Sequence, residues 1–136
     1  MKKDEKDSKI LSLLKKNSRA SNTEIAQAVG LSEGAVRQRI KSLIQKGTIK
    51  RFTIETSAEA GNQAIVMVKA KGNTKKMMQE ILKLPGVRSG FEISGAYDAT
   101  LILSTENMDE LDKRIDQIRA LPTVDDTRTF IVLKEW

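Results

Sequence analysis

The chain has 136 residues, the size of one ordinary domain or two small ones, with 39% hydrophobic and 31% charged residues. It has no cysteine and no histidine, which excludes disulfides and thiolate metal sites and removes the commonest general base and the commonest metal ligand. Its net charge of +6 is segregated: residues 1–51 hold 13 Lys/Arg against 5 Asp/Glu, whereas residues 52–136 hold 11 against 13. No apolar run approaches the roughly 20 residues of a membrane span, and Met1–Asp7 has no apolar segment behind its charges, so neither a membrane partner nor a secretory signal is expected and the location is read as cytoplasmic. A basic N-terminal third points to a polyanion partner for that part alone.

Residues 4–16 read as a helix, with Ile10, Leu13 and Leu14 on one face, acidic residues in the first turns and Lys15-Lys16 in the last. The polar break 17–22 ends in Ser21-Asn22, either of which suits the N-cap of a short helix over 23–29. Ala26 is small where two helices must approach, and Gly30, four residues on, suits the positive φ of a tight inter-helix turn. Ser32 caps the next helix, Gly47 stops it, and Ile25, Val29, Leu31, Val36 and Ile40 form the seam between the two. This is a helix-turn-helix pattern, and double-stranded DNA is its expected partner. A plain helical hairpin in a core would share the spacing but would not require the same segment to carry the positive charge.

Burying Val36, Ile40 and Leu43 turns Gly34, Gln38, Lys41, Ser42 and Gln45 outward, with Arg37 and Arg39 on the flanks. Gln38 suits an adenine edge and Arg37 a guanine edge, while Arg39, Lys41 and Lys46 suit phosphates. The expected DNA-binding set is therefore Ser32, Gly34, Arg37, Gln38, Arg39, Lys41, Ser42 and Lys46. Residues 48–54 then read as a β-segment, a wing or linker strand, in which Lys50 and Arg51 are placed to touch the DNA backbone. The expected division is a helix-turn-helix domain over 1–51, a linker strand and hinge over 52–61, and a second domain over 62–136.

An internal repeat organises that second domain. Ile81-Leu82-Lys83-Leu84-Pro85-Gly86-Val87 recurs 37 residues later as Ile118-Arg119-Ala120-Leu121-Pro122-Thr123-Val124. Each copy reads strand, helix, Leu-Pro-x-Val turn, strand. In the first copy the strand is 64–70, its helix turns Met77, Met78, Ile81 and Leu82 inward, and the strand 87–93 alternates with Val87, Ser89, Phe91 and Ile93 on one face. In the second, the strand starts at Ala99, the helix buries Met108, Leu111, Ile115 and Ile118, and the last strand covers 127–133. Two such copies make the split βαβ, or ferredoxin-like, βαββαβ arrangement, so the fold class is α+β with a winged-type helix-turn-helix in front. The methionines are core packing on this reading.

Between the copies lies Ser94-Gly95-Ala96-Tyr97-Asp98. It is a turn by composition. It also places the only tyrosine beside a carboxylate able to pair with an ammonium group, and Gly95 leaves its amide open to an anion. On the residues alone, a plain hairpin leads over a ligand site.

A basic helix-turn-helix, a linking strand and βαββαβ with Gly-x-Tyr-Asp between the middle strands resembles the Lrp/AsnC (feast/famine) regulators of bacteria and archaea, over nearly the whole chain. The resemblance implies a transcriptional regulator that forms homodimers through its C-terminal sheets, often assembled into octamers, with a small effector, usually an amino acid, held between dimers. It implies effector contacts from Gly95, Tyr97 and Asp98, and from Thr127 and Thr129 on the last strand. No cofactor or metal is expected. An architectural, chromatin-like DNA-binding protein without an effector is the alternative. Some proteins of this fold are sirohaem decarboxylases that rely on histidine, and this chain has none, so it is read as no enzyme.

Overall fold

The computed structural model describes residues 4–56 and 62–136. The chain divides into two units, Met1–Thr56 and Ser57–Trp136.

The first unit consists of α1 (Glu5–Lys16), α2 (Asn22–Val29) and α3 (Glu33–Gln45). Asp4 caps α1, accepting from the Lys6 amide. Ser21 and Glu24 form a reciprocal capping box at α2, and Ser32 caps α3 by accepting from the Ala35 amide. Gly30 and Gly47 end α2 and α3 in the left-handed region, at φ +71° and +73°, where a β-carbon costs energy. Ile10 and Leu14 of α1, Ile25, Ala26 and Val29 of α2, and Val36 and Leu43 of α3 close one small core, with Ile40, Leu31 and Ile49 packed on it. The β-segment expected over 48–54 is not a strand. The chain there bends at Thr48 and Ile49 and then runs without a ladder partner among the described residues; it is tied by the Ile49 amide to the Leu43 carbonyl and by Ser18 Oγ to the Thr53 carbonyl. β-propensity alone does not make a strand without a second chain segment to pair with.

The second unit has the order β1 (Asn62–Ala70), α4 (Thr74–Ile81), β2 (Val87–Glu92), β3 (Ala99–Thr105), α5 (Met108–Ala120) and β4 (Val124–Ile131). Its four-stranded antiparallel sheet runs β2-β3-β1-β4, so the two copies of the repeat interleave and each supplies one central and one edge strand. The repeat is also one of hydrogen bonds. Leu84 N donates to Ile81 O as Leu121 N does to Ile118 O, and Val87 N to Leu84 O as Val124 N does to Leu121 O. Ala64, Val66, Val68, Ala99, Leu101 and Leu103 face Met77, Met78, Ile81, Leu111, Ile115 and Ile118 in the core.

The alternation expected for β2 is corrected. The register slips between Val87 and Ser89, which opposes Gly90, not Ser89 or Phe91, to the core residue Leu101. An extra residue inverts every side chain beyond it. Phe91 is therefore 56% exposed on the other face. Leu82 and Met108, expected inward, are also largely exposed, because Leu82 is already the C-cap of α4 and Met108 is the first residue of α5. Gly90 is glycine for space: a β-carbon there would lie 2.6 Å from Met78 Cε and 3.1 Å from Leu101 Cδ2. Gly90→Ala is expected to cost about 1–3 kcal/mol by overpacking. If that methyl is the obstacle, Met78→Ala should cost less in the Gly90→Ala background than alone, a coupling that urea unfolding of the single and double variants will measure.

Candidate functional site

The exposed side of α3 carries Gly34, Arg37, Gln38, Lys41 and Gln45, one stripe along the helix. Ser42 is half-buried at its margin, and Lys46 follows as the helix's C-cap. Ser32 Oγ is occupied by its own cap, so a DNA contact from that hydroxyl would have to share it. Arg37 is ion-paired to Glu33 one turn back, with both side chains more than half exposed. Such a pair is weak enough to open for a base edge. Lys41 and Lys46 have no ion-pair partner among the described residues.

Arg39 departs from expectation. It does not point out with the reading stripe but leans against α1, where Nη1 meets Asp4 Oδ2 at 2.6 Å and Asp7 Oδ1 at 3.0 Å. The Arg39 hydrogen bond holds the Asp4 carboxyl below its usual range, with the Lys6 amide adding to the effect, and the same bond raises Arg39. A lowered carboxylate pKa means that the pair is intact above the ordinary carboxylate range and is lost as pH falls through the lowered value. On the other side of α1, Lys6 Nζ donates to the carbonyl of Val29, the last residue of α2. The sequence assigned Asp4 and Asp7 only to the helix dipole and gave Lys6 no role; contacts across 35, 32 and 23 residues leave no local pattern to read.

In the second unit, Gly95, Tyr97 and Asp98 share one tight turn, closed by Ile93 N donating to Asp98 O. Gly95 stands at φ +129° with open space where its β-carbon would be. Asp98 is half-buried: its amide donates to Val68 O, and its Oδ2 accepts from Ala70 N at 2.7 Å, continuing the β1–β3 ladder beyond the Val68–Ala99 pair. Thr127 pairs with Val68 from the opposite side and Thr129 with Val66. Asp98 and Thr127 thus flank one residue of β1 at the same end of the sheet, about two strand spacings or ~10 Å apart. Thr127 Oγ1 already accepts from Arg119 Nε at 3.2 Å. Two concave surfaces of about 320 and 680 Å³ lie elsewhere, one around Gly86 and Arg114, the other between α1 and residues 48–55.

Residues 3–50 match the family model for winged helix-turn-helix DNA-binding domains, and residues 63–136 match that of the Lrp/AsnC ligand binding domain. The chain belongs to the Lrp/AsnC family. Among Lrp/AsnC relatives it is 42% identical over 135 residues to the HTH-type transcriptional regulator LysM of Saccharolobus solfataricus, covering 98% of this chain and 95% of that protein. It is 35% identical to the regulator FL11 of Pyrococcus horikoshii, covering 96% and 89%. Among solved structures it resembles the transcriptional regulator NMB0573 of Neisseria meningitidis in complex with L-Met, at TM-score 0.80 and 28% identity over 98% of this chain and 92% of that one. As a member of Lrp/AsnC it is a transcriptional regulator with a DNA-binding helix-turn-helix and an Lrp/AsnC ligand-binding domain.

Proposed function

We propose that the chain is a sequence-specific regulator whose DNA binding is governed by a free amino acid. The stripe Gly34, Arg37, Gln38 and Lys41 enters the major groove, with Ser42 and Lys46 at its margins. Gln38 reads adenine and Arg37, released from Glu33, reads guanine, while Lys41 and Lys46 neutralise phosphates.

The effector sits at the Gly95–Asp98 turn, with Tyr97 against it and Thr127 and Thr129 nearby. The observation that carries this is Asp98: a half-buried carboxylate with one oxygen fixed to Ala70 N and no ion-pair partner among the described residues, beside the open Gly95. An α-ammonium group would complete that carboxylate, and the Gly95 backbone suits an α-carboxylate. The NMB0573 complex, in which a relative of the same fold holds L-Met, supports an amino acid as the class.

Homodimers form through the sheet face opposite the helices, where Ile65, Phe91 and Phe130 are 41%, 56% and 51% exposed and Ile65 is the cross-strand partner of Phe130. Dimers assemble further, to octamers, with the effector between them. Occupancy then biases assembly and with it the spacing of the reading helices, a linkage between two sites.

The test is calorimetric titration of the full chain with each of the twenty amino acids, beside Asp98→Asn. Asparagine keeps an acceptor for Ala70 N and removes only the charge. Loss of a charge-assisted bond of about 1.5–3 kcal/mol should weaken the best ligand roughly ten- to hundredfold. If no amino acid binds, or Asp98→Asn binds as wild type does, the effector reading fails. Equal affinity for random and promoter DNA would then favour an architectural, chromatin-like role.

A further inference from the structure

We infer that Arg39 is a positioning residue: with Asp4 and Asp7 it fixes the angle at which α3 presents Gln38 and Arg37, and it does not itself bind DNA. The inference rests on the proposal that α3 reads sequence and adds which contacts aim it.

Three features of the contact carry it. First, Asp4 is held in place before it meets Arg39. Its Oδ1 accepts from Lys6 N at 2.9 Å as the cap of α1, which leaves Oδ2 directed at the guanidinium, 2.6 Å away. Second, Asp7 stands one turn along α1 on the same side and takes the same nitrogen at 3.0 Å. One guanidinium joined to two aspartates has its charge already matched, which leaves it a poor ligand for a phosphate. Third, the same turn of α1 holds α2 through Lys6 Nζ and Val29 O, where a cation satisfies an open carbonyl at a helix C-terminus. The first turn of α1 therefore contacts both helices of the motif, adding directional polar contacts to the apolar core that the three helices share.

A phosphate contact and a positioning contact differ in what their loss does. A phosphate contact is blind to sequence, so its removal weakens binding to every duplex alike and lowers the slope of log K against log salt by ~0.9. A positioning contact sets where side chains meet base edges, so its removal lowers the preference for the right sequence.

The experiment uses the full chain. A duplex is selected from a randomised pool with the wild type, and its affinity and that of a random duplex are measured over a salt series for wild type, Arg39→Gln and Asp7→Asn. Asp7→Asn leaves the Asp4 cap intact and guards against misfolding of the arginine variant. The expected result is a loss of about tenfold in the ratio of selected to random affinity for both variants, with the salt slope of Arg39→Gln unchanged, and no further loss when the two are combined. An equal loss on both duplexes for Arg39→Gln with a slope smaller by ~0.9 overturns the inference, as does tighter binding by Asp7→Asn with an unchanged ratio. A wild type that enriches no sequence overturns the reading role of α3 itself, and the inference with it.

Discussion

Ile10→Ala is expected to weaken DNA binding at 37 °C by destabilising the first unit while leaving the second unit folded. Ile10 is fully buried and anchors α1 to a core of seven buried residues. Truncating a buried isoleucine costs about 2–5 kcal/mol, and a unit of this size sits at the low end of the 5–15 kcal/mol range of domain stabilities. At the upper end of that range the loss brings the helix-turn-helix unit to about the midpoint of unfolding. Hydrogen exchange decides the outcome: amides of residues 5–45 should lose protection, whereas those of β1, β3 and α5 should keep theirs, because their core is a separate cluster. Loss of protection across both units, or unchanged DNA affinity, would contradict it.

Gln38→Ala and Lys41→Ala are expected to separate specificity from affinity. Both residues are exposed on the same stripe of α3, three residues apart. Loss of a bidentate base contact costs about 1–3 kcal/mol, roughly 5- to 150-fold, and only on the selected sequence. Lys41→Ala should weaken binding to selected and random duplexes equally and reduce the salt slope by ~0.9. Fluorescence anisotropy over a salt series distinguishes the two. If Gln38→Ala weakens all duplexes alike, the helix does not read sequence through that side chain.

Much of the fold was legible in the sequence because its signals are local. Caps, turn glycines and the 3.6-residue apolar period act within a few residues, and Ser21, Ser32, Gly30 and Gly47 stand where those rules place them. The 37-residue repeat was equally direct, because each copy makes the same turn from its own Leu-Pro-x-Val. The strand β2 was misread because a bulge leaves no mark in an alternating pattern until the partner strand is known: Gly90, with no side chain, is the residue that packs. The segment 48–54 was misread because propensity is not pairing.

The candidate sites divide in the same way. Gly95, Tyr97 and Asp98 lie together in one short turn, so their proximity was given by order along the chain. That the Asp98 carboxylate is anchored on Ala70 N, and that Thr127 flanks Val68, whose carbonyl accepts from the Asp98 amide, depends on which strands are neighbours. The sequence by itself determined the two units, their charge, the motif that faces DNA and the repeat that builds the sheet, since each follows from composition or short-range periodicity. Only the tertiary structure decided which cations face outward. Arg37 has Glu33 one turn back on its own helix and stays on the exposed stripe, whereas Arg39 has no carboxylate within a turn of α3 and helix packing delivers it to Asp4 and Asp7. A charge's partner is chosen by distance in space, and contacts across 35 residues are set by how helices cross.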